Sequence, residues 1–172
     1  MATHARDDTW EPGAIGEQRV GPLLERLRPF GAVPLHDRRI PGSQANIDHV
    51  VIAPSGVWIV DSKNYRGRIE RRGRRSDARL FVDRRDRTSL VTGTTKQYDA
   101  VRYAITNGNV PIHRVLCFTG SEWPFFAKPF ELDGVWVTWP KALIARITHA
   151  GGDGVSVSEI SAELAERLPA AS

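Results

Sequence analysis

The sequence predicts an α/β domain with a central mixed β-sheet flanked by helices. Two neighbouring runs, 47–53 and 57–60, are β-branched and apolar on both faces, which is typical of strands in the middle of a covered sheet. Segments before and after these runs repeat apolar residues at helical spacing. Buried strands combined with amphipathic helices define the α/β class.

The first predicted helix spans residues 14–27, because Val20, Leu24 and Leu27 form one apolar stripe and Pro29 ends it. Pro-Gly punctuation in the segment 53–56 predicts a turn between the two central strands. The remaining predicted elements are a strand at 32–37, a loop at 38–45, an exposed hairpin at 67–72 and 79–83, a helix at 94–106, strands at 112–118 and 135–139, and helices at 141–148 and 158–168.

Composition excludes several classes of protein. With 172 residues and 41% hydrophobic content, the chain can build its own core as one domain. The single cysteine, Cys117, rules out an internal disulfide and a multi-cysteine zinc site, and it favours a reducing compartment. No run approaches the ~20 apolar residues of a membrane span, and the N-terminus lacks a signal-like apolar core. We therefore expect a cytoplasmic protein without membrane contact.

Positive charge is concentrated in one segment. The net charge is +4, and the segment Arg66–Arg87 holds ten arginines against four acids. Such a stripe attracts a phosphate backbone, but it is equally compatible with a solvated hairpin. If it binds nucleic acid, the expected contact residues are Arg66, Arg68, Arg71, Arg72, Arg74 and Arg75.

The two central strands carry charged residues only near their ends. Asp61 and Lys63 are two apart on a strand, so both point to one face. If Ala53 and Gly56 are the paired ends of a four-residue turn, Asp48 lies opposite Asp61. A three-residue loop with a glycine bulge would instead shift the register by one residue. The sequence permits both registers.

Clustered carboxylates at this place require a counter-ion. Two like charges about 4 Å apart repel by roughly 4 kcal/mol at an effective dielectric near 20. Lys63 can offset one carboxylate, whereas Glu17 on the inward stripe of the first helix would add a third to Asp48 and Asp61. Ligation by oxygen atoms alone suits Mg²⁺ or Mn²⁺.

The order of these residues resembles the nuclease-related domain (NERD) family of the PD-(D/E)xK nuclease superfamily. The resemblance rests on Glu17 in the first helix, Asn46–His49 (NIDH), Val60–Gly67 (VDSKNYRG) and Gln97 in a following helix. It implies a restriction-endonuclease-like core in the order helix, three strands, helix, strand. It also implies hydrolysis of phosphodiester bonds with a divalent metal.

The resemblance also assigns roles to individual residues. Asp48 and Asp61 match the metal-binding acids, although glutamate is common at the second position. Lys63 matches the lysine that orients or deprotonates the attacking water. Glu17 matches the first-helix acid, which binds metal directly or through water. Gln97 matches a helix glutamine near the active site, but Val101 stands where some related nucleases have tyrosine.

The expected organisation is a flexible tail at 1–12, a NERD-like nuclease domain at 13–149, and a C-terminal linker and amphipathic helix at 150–172. The expected function is a Mg²⁺-dependent nuclease that acts on DNA with little sequence specificity. No phosphate-binding glycine-rich loop is present in the sequence, so no nucleotide cofactor is expected, and a homodimer is left open. The alternatives are a non-catalytic nucleic-acid-binding module of the same fold and a protein-interaction domain.

Overall fold

The computed structural model describes residues 20–152 and 154–171. The strands are β1 (Val33–Arg39), β2 (Asn46–Ala53), β3 (Gly56–Lys63), β4 (Ile69–Arg72), β5 (Arg79–Val82), β6 (Arg85–Asp86), β7 (Ile112–Phe118), β8 (Phe130–Leu132) and β9 (Val135–Thr138). The helices are α1 (Val20–Glu25), α2 (Ser89–Ala104), α3 (Pro140–His149) and α4 (Val157–Arg167), with short 3-10 turns at Arg28–Phe30 and Arg75–Asp77.

Six of the strands form one mixed sheet in the order β1-β2-β3-β7-β9-β8. Strand β2 is antiparallel to both of its neighbours, β1 and β3. Strands β3, β7 and β9 are parallel, and β8 closes the edge in the antiparallel sense. The predicted α/β class with a mixed sheet and flanking helices is therefore confirmed. Strands β4, β5 and β6, which follow β3 and precede α2 in the sequence, form a separate small sheet.

Both faces of the main sheet are covered, which explains why its central strands are apolar throughout. On one face, Leu24 of α1 and Leu143 of α3 join a cluster with Trp58 and Val60 of β3. On the other, the helices α2 and α4 supply a cluster around the buried side chain of Ile59. The small sheet packs through a third cluster that includes residues of α2 and β7.

Several predicted boundaries of strands and helices were wrong, because contacts with residues distant in the sequence extend these elements. Strand β1 continues through Arg39, where a loop had been expected from residue 38. Its polar end pairs with β2, and the C-terminal segment secures it because Arg39 donates its backbone N–H to the carbonyl of Pro169. Helix α2 begins at Ser89 rather than near residue 94 because Val91 buries its first turn. The short strands β6 and β8 were not predicted.

Two further sequence-based expectations concern the ends of the chain. The tail at 1–12 and the start of the helix predicted at 14–27, with Glu17 in it, lie outside the described residues. Within the part that is described, no helix has the length and apolar character needed to span a membrane. Helix α4 packs against the main sheet through Ile160 and Leu164, which are buried in the cluster around Ile59.

Candidate active site

The hairpin of β2 and β3 adopts the predicted four-residue register. Ala53 pairs with Gly56, and the antiparallel pairs continue to His49 opposite Val60. Gly56 has φ +131°, and a Cβ atom there would lie 2.6 Å from the carbonyl oxygen of Pro111. Glycine is therefore required at this turn by both backbone conformation and space. The bulged alternative, which would shift the register by one residue, is not what the structure adopts.

Beyond the last backbone pair, Asp48 reaches β3 through its side chain. Its Oδ2 atom accepts a hydrogen bond of 2.9 Å from the backbone N–H of Ser62. Continued by one residue, the same register places Asp48 opposite Asp61, which is the predicted position. The Asp48 carboxylate accordingly lies beside Asp61 and interacts with it.

Asp61 and Lys63 form the second part of the site. The Nζ atom of Lys63 lies 2.8 Å from Oδ1 of Asp61, and the two side chains are 23% and 10% exposed. Burial raises the pKa of the Asp61 carboxyl above its ordinary value; the Lys63 ammonium opposes this rise, and the Asp48 carboxylate adds to it. Two carboxylates and one ammonium thus meet where β2 approaches the end of β3.

Gln97 lies on the buried side of α2, between Thr94 and Val101. Helix α2 packs on β3 and β7, on the sheet face that the side chains of Asp61 and Lys63 share with Ile59. The side-chain oxygen of Gln97 is buried and accepts no hydrogen bond within the described part of the chain. A buried amide oxygen normally has a hydrogen-bond partner, because leaving it unsatisfied costs free energy.

Two of the three metal-binding acids predicted from the sequence lie within the described residues. Residues 20–152 and 154–171 contain no group of three histidine, cysteine, aspartate or glutamate side chains arranged to hold a metal ion. Of the predicted ligands, Asp48 and Asp61 are brought together, whereas Glu17 lies outside the described residues. The predicted three-acid site thus stays a prediction.

A hydrogen-bonded chain behind Asp48 was not predicted from the sequence. The Nδ1 atoms of His36 and His49 are 2.8 Å apart, and Nε2 of His36 lies 2.8 Å from a carboxylate oxygen of Glu25 at the end of α1. Burial and the neighbouring His36 lower the pKa of His49, while Asp48 and Asp37 act in the opposite direction. These hydrogen bonds connect the end of α1, through β1, to the strand that carries Asp48. Only the β1–β2 register, which pairs His36 with His49, could have indicated it.

The segment after Lys63 is shaped by close packing. Gly67 has φ +102°, and a Cβ atom on it would lie 2.4 Å from Cβ of Asp83. Gly120 makes room in the same way for the side chain of Asn64, whose oxygen would lie 2.3 Å from a Cβ at that position. The NYRG part of the motif therefore specifies how the chain leaves β3 and enters β4.

The six arginines predicted to contact nucleic acid are all exposed and lie on or beside β4. Two of them are partly neutralised, because Arg72 and Arg68 approach the carboxylate of Glu70 at 2.6 Å and 3.6 Å. The guanidinium of Arg72 also lies over the ring of Phe81 at 4.4 Å. Within the described residues, the four that form no ion pair are Arg66, Arg71, Arg74 and Arg75.

Arg87, a further cation near the site, was not among the residues predicted from the sequence to contact nucleic acid. Its guanidinium lies over the ring of Tyr65 at 5.2 Å, and its Nε atom is buried without a hydrogen-bond partner among the described residues. Arg87 stands at the end of the arginine-rich run, and nothing in its local sequence distinguishes it from the others. Its position becomes evident only once the small sheet is folded against the main one.

The structure thus combines a mixed sheet with two carboxylates and a lysine at adjoining strand ends, on an α/β fold. The family model of the nuclease-related domain matches residues 12–119, more than half of the chain. The chain therefore belongs to the nuclease-related domain (NERD) family, whose general class is the PD-(D/E)xK superfamily.

Comparison with individual proteins adds little about function. A stretch of 58 residues is 40% identical to part of an uncharacterized protein from Bacillus anthracis. The stretch covers 32% of this chain and 27% of that protein, so the match spans about a quarter of the relative's length. No solved structure matches the chain.

Proposed function

We propose that this protein is a divalent-metal-dependent nuclease that hydrolyses phosphodiester bonds, with DNA as the preferred substrate and little sequence specificity. The observation that carries the proposal is the meeting of Asp48, Asp61 and Lys63 at the ends of neighbouring strands. Membership of the nuclease-related domain family supports the same reaction class.

The donor set fits a hard divalent cation. Asp48 and Asp61 together carry more negative charge than Lys63 can offset, and carboxylate oxygens are the ligands that Mg²⁺ and Mn²⁺ prefer. The buried oxygen of Gln97 is a neutral donor on the helix that covers this face. We assign Glu17 as a third acid, direct or through water. When bound, the cation supplies a Lewis acid that polarises a phosphoryl oxygen and lowers the pKa of water.

Each residue then has a distinct part in the reaction. Asp48 and Asp61 would hold the cation, and the Ser62 N–H fixes the orientation of the Asp48 carboxylate by its bond of 2.9 Å. Lys63 keeps its ammonium beside Asp61, where it orients the attacking water and stabilises negative charge that develops on the phosphoryl oxygens. The low exposure of Asp61 strengthens these electrostatic interactions, because little water screens them.

The exposed arginines beside the site supply the affinity for the substrate backbone. Arg66 follows Lys63 by three positions, and the other arginines of β4 and its turn continue from it. Contacts between arginine and phosphate release condensed counter-ions, so binding should weaken steeply as salt is raised. Such contacts carry no sequence information, which agrees with a nuclease of low specificity.

The proposal is tested by incubating plasmid and single-stranded DNA with the purified protein in Mg²⁺, in Mn²⁺ and in EDTA. We expect cleavage with either metal and none in EDTA. Asp61→Asn and Lys63→Met should each lower the rate at least about a hundredfold, which is typical of losing a group that stabilises the transition state. The control is Asp99→Asn, an exposed acid of α2, which should cleave like the unaltered protein.

Circular dichroism establishes that each variant is folded. Cleavage that persists in both folded variants would refute the assignment of the site. Salt-sensitive binding of DNA, with no cleavage under any metal condition, would instead identify a non-catalytic nucleic-acid-binding module of the same fold.

A further inference from the structure

Two neighbouring phenylalanines stand out on the protein surface. Phe125 and Phe126 are 93% and 88% exposed, whereas most large apolar side chains of the described residues are buried. Their rings contact each other edge to face, with centroids 4.8 Å apart, so they form one continuous apolar patch. Exposure of such a patch is unfavourable in water and indicates a surface that binds something.

The patch sits on a fixed turn. The backbone N–H of Ala127 donates to the carbonyl of Pro124 at 2.7 Å, which places both phenylalanines at the tip of a β-turn. The preceding residue, Trp123, anchors the turn by packing edge to face against Trp139 at 4.8 Å. The backbone that carries the two rings is therefore positioned before any ligand arrives, which lowers the entropy lost on binding.

The same segment is joined to the candidate active site by backbone hydrogen bonds. The N–H of Thr119 donates to the carbonyl of Lys63 at 3.0 Å, and the N–H of Glu122 donates to the carbonyl of Gly67 at 2.9 Å. From Thr119 to Phe125 the chain spans six residues, which reach at most roughly 20 Å when fully extended. The patch thus lies within a few nucleotides' length of Asp61 and Lys63.

Two exposed arginines lie on or next to the segment that is hydrogen-bonded to residues 119–122. Arg68 pairs in a parallel bridge with Glu122, and Arg66 lies on the stretch between Lys63 and Gly67. Proteins that bind single-stranded nucleic acid combine cationic side chains, which contact the phosphates, with aromatic rings, on which the bases stack. The faces of bases inside an intact duplex are already stacked on one another and cannot reach such rings.

We propose that Phe125 and Phe126 form a base-stacking platform that selects single-stranded or locally unpaired nucleic acid as the substrate class. This inference rests on the proposed nuclease function and specifies the strand state that it acts on. The platform holds the bases of an unpaired strand while the arginines hold its phosphates, so that the strand runs toward Asp61 and Lys63.

The test measures binding separately from cleavage. Fluorescence anisotropy in EDTA compares a short oligodeoxythymidine with a duplex of the same length. The double variant Phe125→Ala/Phe126→Ala should bind the single strand about tenfold more weakly or worse, because stacking of this kind is typically lost at that scale. Its affinity for the duplex should stay nearly unchanged. The control is Tyr103→Ala, another exposed aromatic residue, 91% exposed on α2, which should leave both affinities unaltered.

A second pair of variants separates stacking from general apolar contact. Phe125→Leu/Phe126→Leu keeps an apolar surface without an aromatic face, and Phe125→Trp/Phe126→Trp keeps the face. Base stacking predicts that the leucine variant loses single-strand affinity and the tryptophan variant retains it. Equal single-strand affinity of all variants would overturn the proposal. So would retention by the leucine variant together with binding to anionic lipid vesicles, since this outcome identifies a membrane-contacting patch.

The two proposals fail in different ways. If the protein binds single strands through the phenylalanines but cleaves no nucleic acid with Mg²⁺ or Mn²⁺, the catalytic proposal is wrong and the stacking platform stands. If the protein cleaves nucleic acid, but the double alanine substitution changes neither single-strand affinity nor the cleavage rate, the catalytic proposal stands and the proposed platform is wrong.

Discussion

Replacing Asp48 by alanine and by asparagine separates two roles that this side chain combines. One is structural, because its Oδ2 accepts the backbone N–H of Ser62 at the point where the β2–β3 backbone pairs end. The other is the proposed role in holding a divalent cation with Asp61. Asparagine keeps an oxygen that can accept the N–H bond but removes the charge, whereas alanine removes both.

The structure sets the expected magnitudes. Leaving a buried N–H without an acceptor costs about 1–3 kcal/mol, and the partial burial of this bond favours the lower part of that range. For a protein of this size, about 1–2 kcal/mol lowers the melting temperature by about 2–8 °C. Asp48→Ala should show this loss. Asp48→Asn should melt close to the unaltered protein, because its amide oxygen replaces the acceptor and the repulsion with Asp61 disappears.

The two variants should nevertheless be equally inactive, since neither has a carboxylate at this position. Thermal unfolding in EDTA measures the structural role, and cleavage of single-stranded DNA with Mn²⁺ measures the catalytic one. Asp99→Asn serves as the control in both assays. An asparagine variant that cleaves normally would show that Asp48 is only a structural acceptor. An alanine variant as stable as the asparagine variant would refute the importance of the Ser62 contact, because both variants lack the repulsion with Asp61.

Two further predictions concern the turn after the site and the pH dependence of stability. Gly67→Ala should lower the free energy of unfolding by about 1–3 kcal/mol, because alanine is strained at φ +102° and its Cβ meets Asp83. In thermal melts the loss caused by Gly67→Ala should be smaller when Asp83 is already replaced by glycine, and an equal loss with and without Asp83→Gly would contradict this contact. Burial lowers the pKa of His113, stacked on Trp58 at 4.1 Å, so the unfolded chain takes up its proton more readily. The free energy of unfolding should therefore fall as the pH drops below about 6.5. Urea titrations of His113→Gln should show a shallower fall, and an equally steep fall would show that His113 does not titrate in this window.

The part of the site that lies on one hairpin could be predicted from sequence because strand geometry is short-range and regular. Side chains alternate along a strand, so Asp61 and Lys63 must share a face. The sequence permits two registers at the Pro-Gly turn, and the four-residue turn, which is the one adopted, places Asp48 near Asp61. The detail was different, because Asp48 bonds the backbone of Ser62 through its side chain, and rotamers are not determined by register.

Other features could not be predicted because they depend on contacts between distant segments. The bond between His36 and His49 needs the β1–β2 pairing, and the position of Arg87 over Tyr65 needs the small sheet to fold against the main one. The polar end of β1 is a strand because it pairs with β2, and Pro169, 130 positions later, also accepts a hydrogen bond from Arg39.

The sequence by itself determined the α/β class, the two central strands and the family, because these follow from local periodicity and from the order of a few residues. Only the tertiary structure decided how buried Asp61 is and where the exposed phenylalanines lie relative to Lys63. The physical reason is that burial, hydrogen-bond partners and electrostatic environment are set by atoms from several segments at once. The placement of the segment that leads to Phe125, for example, results from hydrogen bonds between 119–122 and 63–69, segments that are more than fifty residues apart.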